Sequence, residues 1–356
     1  MKNKYILGGG IAGLIFAYYN PSYTIISQDV GGKLLNSFMS HIVYLHDSKE
    51  TRELLEALNI KYTLKTQLIK YYKNNKVLDI ISTDDKKELI IKKMGDTTFN
   101  IKDFTLSTSD YYISILDVNF DELITKLKEN VKIIPEKIIR ILDTEIITDK
   151  TSYQYSSIVS TLPANIFWQL YNKPLTLKSK EITFVLADKQ PIDVSVDYGL
   201  MYCIDTDKAY TRISKKDNTY LYEFTGAYTK DEVLKQLPAD TKILEYYVDK
   251  TGILYTDNNN IPPKNVLFVG RFAKWEHSQK IKDVINDAIF DYDFRHIWNR
   301  QKSFSKNRID FNTLKDSIAE KQEETKSLLL HLFGELAEVL NEINYKKHKK
   351  EKTLDI

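Results

Sequence analysis

Cysteine is almost absent from the 356-residue sequence, which contains only Cys203. A single thiol excludes a disulfide framework and any cysteine-rich zinc or iron–sulfur site. No run of about 18 apolar residues occurs, so no segment is long enough for an ordinary membrane-spanning helix. The apolar N-terminal stretch is filled with glycines and is followed by no small-residue cleavage site, unlike a signal peptide. We therefore expect a soluble, cytoplasmic protein.

An excess of charge of one sign is also missing. The 51 basic residues are balanced by 49 acidic ones, which leaves a formal net charge of +2. A dedicated nucleic-acid-binding protein usually carries a basic surplus on one face, so this balance gives no support for that class. Hydrophobic residues make up 42% of the chain, enough for folded cores and too many for a disordered protein. The length suggests about two domains.

Glycine is scarce, with 12 residues, yet several lie together near the N-terminus. A short apolar strand, Lys4 to Leu7, runs into Gly8-Gly9-Gly10-Ile11-Ala12-Gly13. A helical pattern over Leu14 to Tyr19 and a second strand, Tyr23 to Ile26, follow. The order of strand, glycine turn, helix and strand is the context that makes this glycine pattern specific for a dinucleotide-binding unit.

Each glycine has a physical role in such a unit. Gly8 allows a sharp turn off the strand, Gly10 leaves room for a pyrophosphate beside the backbone, and Gly13 lets the helix pack closely on the sheet. The helix N-terminus offers free N–H groups and the positive end of the helix dipole to the phosphates. An acidic residue should follow to bind the ribose; Ser27 stands at that strand end, with Gln28 and Asp29 next. Asp29 or, more weakly, Ser27 could make the ribose contact.

A second glycine pair follows in Val30-Gly31-Gly32-Lys33. It resembles the extended FAD signature of the amine oxidase, protoporphyrinogen oxidase and UDP-galactopyranose mutase superfamily. In that signature the loop lies along the FAD phosphates and the flavin, and the pair is usually followed by Arg. Lys33 keeps the positive charge but lacks the planar fork of arginine.

Two later segments resemble the other FAD blocks of this superfamily. Residues 131–163 match the order of a hairpin followed by a returning strand. The resemblance places Ile138 or Ile139 near the adenine, and Thr161 and Pro163 near the FAD. Asn265 to Val269 reads as a buried strand that enters a glycine turn and a helix. By position, this last block would bring four residues to the cofactor. They are Gly270, Arg271, Asp283 and Val284.

The predicted fold class is therefore α/β, with a Rossmann-like FAD-binding domain, an inserted antiparallel-sheet substrate domain and a helical C-terminal tail. The predicted boundaries are 1–40, 131–163 and 263–300 for the FAD-binding domain, 41–130 and 164–262 for the substrate region, and 301–356 for the tail. Residues 62–115 alternate Tyr, Lys, Ile and Thr, which is typical of an antiparallel sheet.

His46 and Arg212 are the candidate residues on the substrate side. The segment containing His46 reaches the flavin's substrate side in the resembled families, although a lone histidine is as often a hydrogen-bonded structural residue. Tyr210-Thr211-Arg212-Ile213 is similar to a UDP-galactopyranose mutase segment whose arginine meets the substrate diphosphate. The alternative for Arg212 is a strand arginine paired with a carboxylate. Its planar fork makes it the first choice for an anionic substrate group.

The C-terminal tail differs in character. Glu335 and Glu338 are three residues apart on one helical face and, with Glu342, could form a magnesium site. Gly334 to Lys350 resembles the first metal-binding helix of the all-α nucleotide pyrophosphohydrolases of the MazG and dimeric dUTPase group, although the second acidic motif of that family does not follow. The other interpretation is an amphipathic packing helix that forms a homo-oligomer through leucines 328, 332, 336 and 340.

Three functions follow from these observations. The first is an FAD-dependent oxidoreductase that takes a hydride from a small substrate, which could be a nucleotide or a nucleotide-sugar. The second is a flavoenzyme similar to UDP-galactopyranose mutase, which acts without net oxidation. The third is an assembly protein in which the flavin is structural.

Overall fold

The computed structural model describes residues 3–32, 45–95, 112–190, 199–216, 218–255 and 260–289. All of them belong to one compact unit, Met1–Tyr292. Lys33 and the predicted tail, including Glu335 and Glu338, lie outside the described residues.

The strands are β1 (Lys4–Gly10), β2 (Thr24–Gly31), β3 (Leu45–His46), β4 (Tyr62–Lys73), β5 (Lys76–Leu78), β6 (Tyr112–Val118), β7 (Lys132–Ile134), β8 (Ile138–Ile141), β9 (Glu145–Thr148), β10 (Ser152–Gln154), β11 (Ser157–Ser160), β12 (Ser179–Ala187), β13 (Leu200–Cys203), β14 (Tyr210–Lys216), β15 (Thr219–Thr225), β16 (Ile243–Leu254) and β17 (Val266–Phe268). The helices are α1 (Ile11–Tyr19), α2 (Lys49–Ala57), α3 (Thr83–Met94), α4 (Phe120–Glu129), α5 (Ala164–Leu170), α6 (Lys230–Leu234) and α7 (Arg271–Lys274). Residues 281–289 are also helical.

A parallel sheet of five strands forms the first layer, in the order β17-β11-β1-β2-β7. Its strands come from three separated stretches of the chain, and all four pairings between them are parallel. Such a sheet needs cover on both faces. One face packs against α1, α2, α4 and helix 281–289, and the other against α5, β8 and β9. The predicted α/β fold class is confirmed.

A second sheet has nine strands and is mostly antiparallel, with the main order β16-β12-β15-β14-β13-β4-β6-β3 and β5 paired to β4. Both inserted regions contribute to it. Their junction is a parallel pairing of β4 with β13, in which Tyr71 faces Tyr202 and Ile69 faces Leu200. The two insertions therefore build one continuous sheet.

The antiparallel pairing expected for 62–115 is found where β4 pairs with β5 and β6, but the helix α3 lies between β5 and β6 in the chain. Ser82 and Asp85 form a reciprocal capping box at its start, and Gly95 ends it in the left-handed conformation at φ 77°. Acidic residues in the first turn and lysines in the last turn complement the helix dipole. These end signals override the alternation of residue types on which the sheet prediction relied.

The helices on either side of α3 begin at side chains that cap their first N–H groups. The Ser48 hydroxyl accepts the backbone N–H of Thr51 at 3.2 Å at the start of α2. The Asn119 side chain accepts two backbone N–H groups at the start of α4. Within the part of the chain that the structure describes, no helix is long and apolar enough to cross a membrane.

Candidate active site

The turn between β1 and α1 leaves open space beside Gly10. A Cβ atom at this position would meet no other atom within 4 Å. Gly10 is the N-cap residue of α1, no side chain accepts a hydrogen bond at this cap, and no acidic residue lies in the first turn. The N-terminus of α1 therefore keeps its free N–H groups and its positive dipole end without a side chain to satisfy them.

Gly13, in contrast, is packed against the backbone of the turn. A Cβ atom at residue 13 would lie 2.2 Å from the carbonyl oxygen of Gly8, which is far inside van der Waals contact. Gly8 itself has φ 102°, a conformation that favours glycine. The two residues allow α1 to start immediately above the end of β1.

Thr161 holds this turn from the neighbouring strand. Its hydroxyl lies 3.1 Å from the carbonyl oxygen of Leu7 and 3.0 Å from that of Gly8. Its backbone N–H donates to the Leu7 carbonyl at 2.9 Å. Thr161 therefore positions the glycine turn, whereas Pro163, two residues later, is the N-cap residue of α5.

Strand β2 bulges beside the same turn. Leu7 pairs with Ile26 and Gly9 with Val30, so that Ser27, Gln28 and Asp29 together face Gly8. The Ser27 hydroxyl donates to the carbonyl oxygen of Asp29 at 2.6 Å and holds the bulge. Gln28 and Asp29 are exposed.

The second glycine pair follows this bulge immediately. Gly31 pairs with Gly10 across the strands. Gly32 has φ 65°, and a Cβ atom there would lie 3.2 Å from the Cα atom of Gly10. The pair therefore lies directly beside the open space at Gly10.

The last glycine turn, at Gly270, packs against the start of α1, close to Gly10. Gly270 has φ 84°, and a Cβ atom on it would lie 2.9 Å from the Cβ atom of Ala12. Val284, on helix 281–289, is buried against this turn. The Asp283 carboxylate accepts the backbone N–H of Lys280 at 2.7 Å and so caps the start of that helix. Ile138, on β8, is partly buried against the core on the other face of the sheet.

Beyond Gly270, basic side chains gather on the face of the large sheet. Arg212, on β14, pairs across the strands with Glu223 on β15, and its guanidinium donates to the Glu223 carboxylate. Lys93, from α3, approaches the other oxygen of the same carboxylate at 3.9 Å. The carboxylate is thus shared by two cations. The Lys93 ammonium also lies 6.0 Å from the centre of the Tyr202 ring.

Arg271 adds a third cation to this group. Its guanidinium contacts the ring of His277, with 2.9 Å between Nη2 and Nε2. Burial and the charges of Arg271, Lys93 and Arg212 lower the pKa of His277 to about 2, so its ring is neutral at neutral pH. Burial, followed by the charge of Arg212, lowers the pKa of Arg271 to about 10. We name Lys93, Arg212, Glu223, Arg271 and His277 the basic cluster.

His46, on β3, is within reach of the positive charge of Arg212. Burial lowers its pKa to about 4, and the charges of Lys280, Arg212 and Lys282 add to this effect. A histidine with this pKa is neutral at pH 7. The structure therefore brings the two predicted substrate-side residues, His46 and Arg212, into one electrostatic environment.

Sequence reasoning missed Lys93, Glu223 and His277. Lys93 follows another lysine near the end of α3, a pattern typical of a solvated face, yet it lies beside Leu89, Ile90 and Met94 on the buried face. Its lysine neighbour, Lys92, is also directed inward and donates to three backbone carbonyls, of Cys203, Asp205 and Tyr210. The apolar spacing on α3 is the signal that could have indicated burial.

Among the described residues, no group of three or more His, Cys, Asp or Glu side chains could hold a metal ion. The proposed magnesium ligands Glu335 and Glu338 are outside these residues, as is Lys33.

No family model matches the sequence, and no curated protein matches it either. Solved structures do match. A fatty acid isomerase from P. acnes, described as producing CLA, gives a TM-score of 0.55 at 11% identity, covering 81% of this chain and 97% of that chain. Reduced UDP-galactopyranose mutase gives 0.52 at 9% identity, covering 80% and 93%. An oxidoreductase from Methanosarcina mazei gives 0.51 at 11% identity, covering 82% and 100%.

Sequence identities this low establish the fold and nothing finer. The matches nevertheless cover four fifths of this chain and almost the whole of each neighbour. They include a mutase and an oxidoreductase of the kinds that the glycine motifs indicated. The chain therefore shares the fold of these solved structures.

Proposed function

We propose that this protein binds FAD noncovalently and oxidises a small substrate. The observation that carries the proposal is the open space at Gly10, below an α1 N-terminus with no side-chain acceptor. Backbone N–H groups that point into open space at a helix N-terminus fit a pyrophosphate. The neighbouring glycines at 31, 32 and 270 keep side chains away from the same place.

In this proposal Asp29 binds the ribose of the cofactor. The Ser27 hydroxyl already donates to the Asp29 carbonyl, so its proton is engaged inside the bulge. The Asp29 carboxylate is exposed on that bulge. A carboxylate after the second strand is the group that accepts hydrogen bonds from ribose hydroxyls in dinucleotide sites.

When bound, FAD supplies the redox chemistry by accepting a hydride from a substrate carbon. The residues of this chain bind and orient the substrate. Arg212 is the candidate for an anionic substrate group, because its side chain is 26% exposed and its fork matches phosphate or carboxylate oxygens. The neutral ring of His46 can accept a proton or a hydrogen bond on the same side.

The visible spectrum of the purified protein tests cofactor binding. The spectrum is recorded again after incubation with excess FAD, because the cofactor can be lost during purification. A protein that stays colourless after reconstitution refutes the proposal. Amines, nucleotides and UDP-sugars are then added without oxygen to the flavin-loaded protein. Bleaching of the flavin band by one of them supports the oxidoreductase and identifies its substrate class.

The second candidate is a flavoenzyme that acts without net oxidation, similar to UDP-galactopyranose mutase. The position of Arg212 beside two further cations favours it, because a diphosphate substrate needs several positive partners. The two candidates differ in one measurement. A mutase converts its nucleotide-sugar only after the flavin has been reduced chemically, and its substrate does not bleach the oxidised flavin.

A further inference from the structure

Helix α1 and helix 281–289 lie side by side and run in the same direction. Near their starts, both contact the turn at Gly270, where an added Cβ atom would lie 2.9 Å from Ala12 in α1 and 3.7 Å from Val284 in the second helix. Further along, the side-chain amide of Asn20 contacts both helices. Because the two contacts come in the same order along each helix, the pair is parallel.

A parallel pair of helices brings two like dipole ends together on each side. The positive ends of both helices lie on the side of Gly10 and Gly270, and their carbonyl oxygens point away from that side. Asp283 caps the start of helix 281–289, whereas the first turn of α1 has no acidic residue. The pyrophosphate of the proposed cofactor would supply the missing negative charge there. On the carbonyl side, the last turn of α1 has no basic residue, so another group must supply the donors.

Asn20 supplies these donors. Its Nδ2 atom donates to the carbonyl oxygen of Phe16, in α1, at 3.2 Å and to that of Ala288, in helix 281–289, at 3.0 Å. An amide NH₂ group has two donors, so each helix receives one of them. Asn20 is 4% exposed and Ala288 is fully buried, so no solvent stands ready to replace the amide. The side chain therefore links the two helices away from water.

The backbone of Asn20 fixes the point from which the amide reaches the second helix. Its N–H donates to two carbonyls in the last turn of α1, at 3.0 and 3.1 Å. Its own carbonyl accepts the N–H of Tyr23, at the entry to β2, at 3.0 Å. Pro21 follows directly, and a residue before proline is disfavoured in the helical conformation, which ends α1 here. Asn20 is therefore held by α1 and by the turn into the parallel sheet.

We propose that Asn20 is a positioning residue for FAD. By linking α1 to helix 281–289, it holds the start of α1 against the turn at Gly270, where Gly10 leaves open space for the pyrophosphate. It lies ten residues from Gly10, roughly 15 Å along the helix, and acts through α1 without touching the cofactor. Without this link the two helices separate for part of the time, and the apparent FAD affinity falls by the fraction of protein in the separated state. The inference rests on the proposed function, because the role it assigns is in FAD binding.

Fluorescence titration of Asn20→Ala with FAD tests this role. We expect binding to weaken by a factor of about 3–10, because one net hydrogen bond shifts an equilibrium by about that factor. The matched control is Thr183→Val, in the large sheet, which also removes a buried side chain with two hydrogen bonds, to the Gly226 carbonyl and from the Tyr228 N–H. It should bind FAD as the unchanged protein does. Asn20→Ser keeps one donor and should bind with intermediate affinity.

Hydrogen exchange with and without FAD separates positioning from a purely structural role. In the unchanged protein FAD should slow exchange in both helices, since Asn20 links them. In Asn20→Ala the protection by FAD should persist in α1 and be largely lost in helix 281–289. A purely structural loss would speed exchange while leaving the protection by FAD equal in both helices.

The outcomes distinguish the two proposals. If the unchanged protein takes up no FAD, the proposed function fails and this inference fails with it. If the unchanged protein takes up FAD, two results overturn the inference alone: Asn20→Ala binding FAD as tightly as the unchanged protein, or Thr183→Val weakening binding as much as Asn20→Ala. Where Asn20→Ala does not fold, Asn20→Ser decides by the same criteria.

Discussion

Replacement of Gly10 by alanine should strongly weaken FAD binding without unfolding the protein. Gly10 has φ −69°, which alanine adopts without strain, and the added methyl group would meet no protein atom within 4 Å. Alanine is somewhat poorer than glycine as an N-cap residue. It also gains about 0.4–1 kcal/mol by restricting the unfolded chain. The two effects nearly offset, so we expect the free energy of unfolding to change by less than about 0.5 kcal/mol.

The effect on the cofactor is expected to be much larger. The methyl group would occupy the space in which the pyrophosphate approaches the N–H groups of α1. A hydrogen bond to a charged group contributes about 1.5–3 kcal/mol. The loss of two of them would cost about 3–6 kcal/mol and weaken FAD binding by a factor of about 10²–10⁴.

Gly13→Ala is the matched control, because it adds the same methyl group three residues away. That methyl group would lie 2.2 Å from the Gly8 carbonyl oxygen, so the helix must move. We expect a loss of about 2–3 kcal/mol in the free energy of unfolding.

Two measurements separate the variants. Urea unfolding is followed on FAD-free protein, because a bound ligand would itself raise the apparent stability. FAD affinity is measured by fluorescence titration of the same samples. The reasoning is refuted if Gly10→Ala binds FAD as tightly as the unchanged protein, or if it unfolds as easily as Gly13→Ala.

Three other variants test the interior. The pKa values of His46 and His277 are lowered from 6.5 to about 4 and about 2, so the unfolded chain binds more protons below pH 6.5. The two neutral histidines contribute their full stabilisation above pH 6.5, and the free energy of unfolding should fall on acidification by up to about 1.4 kcal/mol per pH unit for each histidine. Urea unfolding at several pH values between about pH 7 and about pH 5 measures this slope. Replacing both histidines by asparagine should make the slope flatter. Lys92→Met should lower the free energy of unfolding by about 2–4 kcal/mol, because three carbonyls lose their donor; an unchanged urea midpoint would contradict this. Asn20→Ala should cost about 2 kcal/mol, since this buried amide bridges the carbonyls of Phe16 and Ala288, and hydrogen exchange should show that helix 281–289 opens more readily.

The half of the fold that contains the glycine turn after β1 was predictable because its signals are local. Gly8 and Gly13 meet steric requirements within one turn of backbone, and the strands before and after this turn are short apolar runs. The same is true of helix caps such as Ser48 and Asn119, which satisfy N–H groups two or three residues away. Where a local signal was present and was not weighed, as in the Ser82 and Asp85 capping box, the helix α3 was missed.

The basic cluster could not be predicted in this way. Arg212 meets Glu223 because of the register of β14 and β15, and Lys93 reaches Glu223 from a helix more than 100 residues earlier. Nothing in the sequence marks that register, since a shift of one residue would turn each side chain to the other face of the sheet. The Lys92-Lys93 pair is also typical of an exposed helix face in the sequence, and only the packing of α3 against the sheet buries Lys93.

The sequence by itself determined the glycine turns, the parallel βαβ unit and the class of the fold, because these follow from contacts between residues near one another in the chain. Only the tertiary structure decided which charges share a buried space. The energy of a buried cation depends on every group packed around it, and these groups come from strands and helices that meet only when the two sheets are formed.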